Sequence, residues 1–166
     1  MPDLPDDLRT ALAATLTGAV GDANRLIGRY REDRPAEAPI LRDDSDVAAY
    51  AGYRMPATFA AARAALSAVA AAAPAFRPVS QVDVGGGTGA AVWAAASVWP
   101  SLARVAVLEQ YPHAIALGRA LAGRSAAAAV RHAAWERTDL RTVGEARAAD
   151  LVTVSYVLGE LAAAAR

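Results

Sequence analysis

The chain of 166 residues has no cysteine and no lysine; its seventeen basic residues, all arginine, are balanced by seventeen acidic ones. Without cysteine there is no disulfide, no iron–sulfur cluster and no thiolate metal site within the chain. Without an excess of positive charge it lacks the footprint of a free-standing nucleic-acid binder, although a local arginine cluster could still meet phosphate. The first residues, Met1 to Asp7, are acidic and contain two prolines, unlike a signal peptide. The longest apolar run, residues 64–73, is too short to span a bilayer and is mostly alanine. A soluble, cytoplasmic protein without a metal site is the expectation.

What is present is apolar content, at 55% of residues, much of it alanine, which buries little area per side chain. Together with the use of arginine to the exclusion of lysine, this reads as a coding preference rather than as chemistry. Two parts are visible. Residues 1–78 form a helical region. Leu8, Leu12, Leu16 and Val20 recur at a spacing of four, which predicts an amphipathic helix over residues 7–31. A proline-rich, charged linker is expected near residues 32–44. Ser45 can cap a short helix over 46–53, and Pro56 suits the first turn of another that runs to Ala73. From residue 79 to 166 short apolar strands alternate with helices: strands at 82–85, 103–109, 128–134 and 151–155, helices at 90–98, 112–122 and 139–146, and a last helix opening near Leu158. Such alternation predicts an α/β domain with a parallel sheet.

The segment Val82-Asp83-Val84-Gly85-Gly86-Gly87-Thr88-Gly89 ends the first of these strands and opens a helix. Glycines let backbone turn sharply and approach a ligand, while the helix start offers unpaired N–H groups and the positive end of a dipole. Gly85, Gly87 and Ala90 fit the dinucleotide fingerprint. Asp83, Gly85, Gly87 and Gly89 fit the loop that holds S-adenosylmethionine (SAM). Asp83 favours the second: a carboxylate two residues before the first glycine would repel a pyrophosphate, yet can accept from the amino group of a methionine moiety.

Glu109 closes the second strand, twenty residues after Gly89, where a carboxylate can accept from both hydroxyls of a ribose. Asp139, after the third strand, is a candidate acceptor for the adenine amino group, with Glu136 as its rival and helix capping as the plain alternative. Ser155 supplies a polar tip beside the expected methyl-donor position. Neither His113 nor His132 has sequence neighbours that suggest a triad or a metal site, and Trp93 and Trp99 read as packing residues. No catalytic residue is assignable.

Five segments together, Tyr53-Arg54-Met55-Pro56-Ala57-Thr58-Phe59, Asp83 to Gly89, Trp93-Ala94-Ala95, Trp99-Pro100 and Ser155-Tyr156-Val157-Leu158-Gly159-Glu160-Leu161, resemble the mitochondrial small-ribosomal-subunit methyltransferase-like family and its bacterial relatives. The resemblance spans roughly residues 45–161. It implies a Rossmann-like SAM methyltransferase sheet, SAM as cofactor, Asp83, Gly85, Gly87, Gly89 and Glu109 at cofactor positions, and a role in methylating small-subunit rRNA or in subunit assembly. By that standard the sheet is truncated after about four strands, and relatives continue into a cysteine-bearing region, so an N-terminal fragment is expected. The last strand would then carry an open edge that invites pairing. Two other readings stand beside this one: a non-catalytic assembly factor that keeps its SAM site and touches rRNA through Arg54, Arg63, Arg77 and the arginines from Arg25 to Arg34, and a NAD-binding oxidoreductase fragment.

Overall fold

A computed structural model describes residues 4–19, 44–139 and 148–155. The elements run α1 (Asp6–Ala19), α2 (Asp44–Ala72), β1 (Ser80–Val84), α3 (Ala90–Val98), β2 (Arg104–Glu109), α4 (Pro112–Ala122), α5 (Ala128–Arg131), β3 (Ala134–Arg137) and β4 (Leu151–Val154). The four strands form one sheet in the order β3-β2-β1-β4, every pair parallel. Chain order reverses direction at β1, between its neighbours β2 and β4. In open α/β sheets ligands bind at such a switch point, beyond the carboxyl ends of the strands.

Strand alternation separates the sheet's two faces. Gln81, Asp83, Val105, Val107, Glu109, Trp135 and Thr153 share one face by register. The helices pack there: one core joins Val105, Val107 and Trp135 to Trp93 of α3, Ile115 and Leu121 of α4, Val130 of α5 and, in an outer layer, Met55 and Phe59 of α2 and Leu8 and Leu12 of α1. Ala94 and Ala95 are fully buried where α3 meets α2, so small side chains bring those two helices close. On the other face Val152 and Val154 of β4 remain 48% and 42% exposed.

The expected helix over 7–31 is observed as α1 as far as Ala19; the rest of it, with Val20 and nearly all of the expected linker, lies outside the described residues. Asp7 docks α1 by accepting from the Ala126 N–H (2.7 Å) and the Ser125 hydroxyl (3.2 Å).

Two expectations are corrected. Residues 46–53 and the helix expected to open at Pro56 are one helix, α2, with Pro56 in its interior. An interior proline loses a hydrogen bond and crowds the carbonyl four residues back, at a cost of about 3 kcal/mol. Burial offsets it: Ala48, Ala51 and Met55 before the proline and Phe59 and Leu66 after it are all buried, and large apolar side chains contribute roughly 1.5–3 kcal/mol each when fully buried. By length and composition Ala51–Ala72 could cross a membrane, at hydropathy 1.3. Its buried side chains nevertheless pack into the same core as the sheet.

The third strand is also displaced. Residues 128–134 were expected to hold it, but Ala128–Arg131 is the short helix α5 and β3 begins at Ala134. Alanine is the best helix former, and the strand forms instead where a large residue, Trp135, can turn inward. The helix expected over 139–146 and the one near Leu158 fall outside the described residues, apart from Asp139.

Candidate functional site

Three glycines of the loop after β1 take left-handed backbone, Gly85 at φ 65, Gly87 at φ 55 and Gly89 at φ 89. A side chain at such angles costs roughly 1–2 kcal/mol per residue. The turn folds back on β2: the Gly85 and Gly86 N–H groups donate to the Leu108 carbonyl at 2.8 and 3.4 Å, and the Gly89 N–H donates to the Gly86 carbonyl at 2.8 Å. Gly89 is also the N-cap of α3, where no side chain caps the helix. The dipole of α3 therefore opens into the loop. Beneath it the buried Thr88 hydroxyl donates to the Met55 sulfur at 3.4 Å, which seats the loop on α2.

Asp83 and Glu109 come from the carboxyl ends of adjacent strands and are both buried. Their surroundings differ. Glu109 is held by backbone: Oε2 accepts from the Gly87 N–H at 2.8 Å, and Oε1 from the Gln110 and Tyr111 N–H groups at 2.8 and 3.0 Å. A carboxylate has about four acceptor positions, so these three bonds leave about one for a ligand.

Asp83 is only half satisfied. Oδ1 accepts from the Thr153 hydroxyl of β4 at 2.7 Å, while Oδ2 is buried with no partner. A β-carbon on Gly86 would lie 2.5 Å from that Oδ2 and 2.5 Å from Val107 Cγ1, so the loop backbone rests directly against the unpartnered oxygen. Burial raises the Asp83 carboxyl to about 7 from 3.8, the Thr153 hydrogen bond pulls it back in part, and the charge of Glu109 adds to the rise. A buried acceptor with no donor costs roughly 1–3 kcal/mol. That cost falls at the one point where β1, the loop and β2 converge.

Asp139 stands two residues beyond β3 and is half-buried; Ser155 follows β4 and is half-buried. Glu136 pairs with Leu108, which by alternation puts it on the sheet face opposite Asp83 and Glu109. Trp93 and Trp99 are buried packing residues, Trp99 edge-on to Phe76 with ring centroids 5.6 Å apart. His113 and His132 are exposed, as are Tyr53, Arg54 and Arg63. The Arg77 guanidinium donates to the carbonyls of Pro74 and Phe76. Among the described residues no group of three His, Cys, Asp or Glu could hold a metal ion.

Sequence reasoning missed Gln81 and Thr153. Gln81 Nε2 donates to Thr153 Oγ1 at 2.9 Å, and Thr153 in turn donates to Asp83. Their period-two spacing, Gln81 with Asp83 and Thr153 with Leu151, marks polar side chains on an inward face. Only the pairing of β1 with β4 shows that they meet.

No curated protein matches the chain. Among solved structures it is similar to PigF with SAH (S-adenosylhomocysteine), at TM-score 0.52 and 19% identity, over 84% of this chain and 42% of that one. It is similar also to the mitomycin 7-O-methyltransferase MmcR, at TM-score 0.53 and 21% identity, over 87% and 42%. These likenesses show the fold, a Rossmann-like parallel sheet flanked by helices. The chain spans about two fifths of the length of either structure. The family model of the mitochondrial small ribosomal subunit protein Rsm22 matches residues 44–166, which takes in α2, the glycine loop and all four strands. With its sheet order and loop in place, the chain belongs to the Rsm22 family.

Proposed function

We propose that this chain is the SAM-binding part of a methyltransferase-like protein that acts on the small ribosomal subunit, in the cytoplasm, on its rRNA or during its assembly. One observation carries the cofactor assignment: the buried, unpartnered Oδ2 of Asp83 against the glycine turn. An ammonium group there, bonded directly or through one water, would supply the missing donor and favour the charged carboxylate. The pyrophosphate of a dinucleotide would bring negative charge to an oxygen that already lacks a donor, which counts against NAD.

The neighbouring residues fit the rest of such a ligand. Glu109 keeps about one acceptor position for a ribose hydroxyl. A β-carbon at Gly87 would meet nothing within 4 Å, so bare backbone faces open space where a ligand can lie. Asp139 and Ser155 are proposed for the adenine side and the methyl-donor side. SAM would supply an electrophilic methyl group on sulfur; the residues described here bind and orient, and none is assigned as a base. PigF is a structure with SAH, which supports the same ligand class.

The ribosomal link rests on the family, whose description names the mitochondrial small ribosomal subunit. That description names a ribosomal subunit and no reaction, so a second reading meets it equally: an assembly factor that keeps the cofactor site without transferring methyl groups. Titration calorimetry of the purified chain with SAM, SAH and NAD tests the first assignment. Binding of SAM or SAH without NAD is expected; binding of NAD alone would overturn it. Co-sedimentation with small subunits, with and without methyl transfer to their rRNA, separates the two readings.

A further inference from the structure

The described part of the molecule holds a polar chain, buried at both ends and half-buried at its middle, that the glycine loop and the ribose carboxylate do not account for. It runs from Gln81 Nε2 to Thr153 Oγ1 (2.9 Å) and from Thr153 Oγ1 to Asp83 Oδ1 (2.7 Å). Gln81 is 2% exposed and Asp83 fully buried. A hydroxyl has one proton to give. Because the Gln81 amide donates to the Thr153 oxygen, the Thr153 proton is left for Asp83 alone. The chain is therefore directional, from amide to hydroxyl to carboxylate.

We propose that Thr153, backed by Gln81, is a positioning residue of the cofactor site: it clamps Oδ1 of Asp83 from β4 and so fixes Oδ2 against the glycine turn as the acceptor for the ligand's amino group. The proposal rests on the SAM reading above. Three features support it. Thr153 lies opposite Asp83 in the β1–β4 register, so its hydroxyl reaches Oδ1 along the face that carries Gln81. Without that bond no hydrogen bond among the described residues would hold the carboxylate's terminal torsion, which is broad and roughly two-fold. The same bond also opposes the effect of burial on Asp83 and so favours its ionised form. Among the described residues the charged group that acts on Asp83 is Glu109 of β2; β4 offers the neutral Thr153, and Gly86 and Val107 close the remaining side.

The test uses the full chain and two ligands, SAH and 5′-methylthioadenosine, the same kind of nucleoside thioether without the amino-acid moiety. Thr153→Val keeps the shape of the side chain and removes the hydroxyl; Thr153→Ser keeps the hydroxyl. Dissociation constants are measured by calorimetry from pH 6 to pH 9. For Thr153→Val the expected result is SAH affinity about tenfold weaker near neutral pH, recovering in part as pH rises, with 5′-methylthioadenosine affinity unchanged, because one lost hydrogen bond to a charged group is worth about that factor. Thr153→Ser should restore wild-type values. Equal weakening of both ligands by Thr153→Val, or no weakening of either, would overturn the positioning role. Wild-type chain that binds neither ligand would instead sink the cofactor reading itself.

Discussion

The indole of Trp135 lies across Gly118 so closely that a β-carbon on the glycine would come within 2.2 Å of Cη2 and 2.4 Å of Cζ3. The same Cη2 also bounds Gly89, where a β-carbon would sit 3.0 Å from it. Through this one side chain β3, α4 and the glycine loop are brought together. Gly118→Ala would gain up to about 1 kcal/mol in helix propensity, but the ring cannot yield without moving the loop. A net loss of about 1–3 kcal/mol is expected from overpacking, read by chemical denaturation. Adding Trp135→Leu to Gly118→Ala should cost less than the sum of the two single changes.

Asp83 sets an unusual pH dependence. Its carboxyl titrates at about 7 in the folded chain against 3.8 ordinarily, so between those values the folded state holds a proton that the unfolded state has released. This contribution to stability is complete below the ordinary value, is lost as pH rises through that window, and levels off above it. The shift corresponds to roughly 4 kcal/mol at most. Asp83→Asn should remove this dependence and make the chain more stable than wild type at pH 8, while weakening SAH binding. Thermal denaturation from pH 4 to pH 8 checks the first, and a wild-type curve no steeper than that of the variant would refute it.

Two neighbouring glycines should respond differently to alanine. At Gly86 the new methyl group would sit 2.5 Å from Asp83 Oδ2 and 2.5 Å from Val107 Cγ1, so these two buried side chains or the turn itself must shift. At Gly87 it would meet nothing within 4 Å, and only the φ of 55 opposes it. Gly87→Ala should therefore cost about 1–2 kcal/mol of stability and leave the fold intact. Gly86→Ala should displace the turn and abolish SAH binding. Circular dichroism with calorimetry distinguishes the two, and equal effects would contradict the packing described.

Asp150 has the opposite sign. Its Oδ2 accepts from the Val79 N–H (2.9 Å), the Ser80 N–H (2.9 Å) and the Ser80 hydroxyl (2.8 Å). The Val79 N–H foremost, then the Ser80 hydroxyl, holds its carboxyl below the ordinary 3.8. Such a group stabilises the fold above its unfolded value, and the contribution disappears as pH falls through the folded one. Asp150→Ala should lower the denaturation midpoint at neutral pH, and its deficit against wild type should narrow in acid below about pH 4.

Helices α3 and α4 were legible to the residue because punctuation marks them: Gly89 and Pro112 open them, Pro100 and Gly123 follow them. The third strand was not legible, since an alanine run carries no period and its helical preference prevails until Trp135 supplies an inward anchor. Pro56 misled because its local cost is visible in sequence, whereas the burial of Met55 and Phe59 that offsets it depends on tertiary packing. Asp83 and Glu109 were readable as strand-tip carboxylates. Their contrast, one saturated by backbone and the other half empty, depends on how the loop closes and appears only in three dimensions.

The bonds from Asp150 to Ser80 have a consequence for the opposite end of the sheet. They key β4 to β1 at its first residue, and Thr153 follows only three positions on, about 10 Å along the strand. A slip of one residue would turn Thr153 to the other side of the sheet and leave Asp83 facing Val152 or Val154 instead. A surface carboxylate remote from any ligand thus serves as the index mark for the site, and an error at the foot of the strand would be read out at its tip.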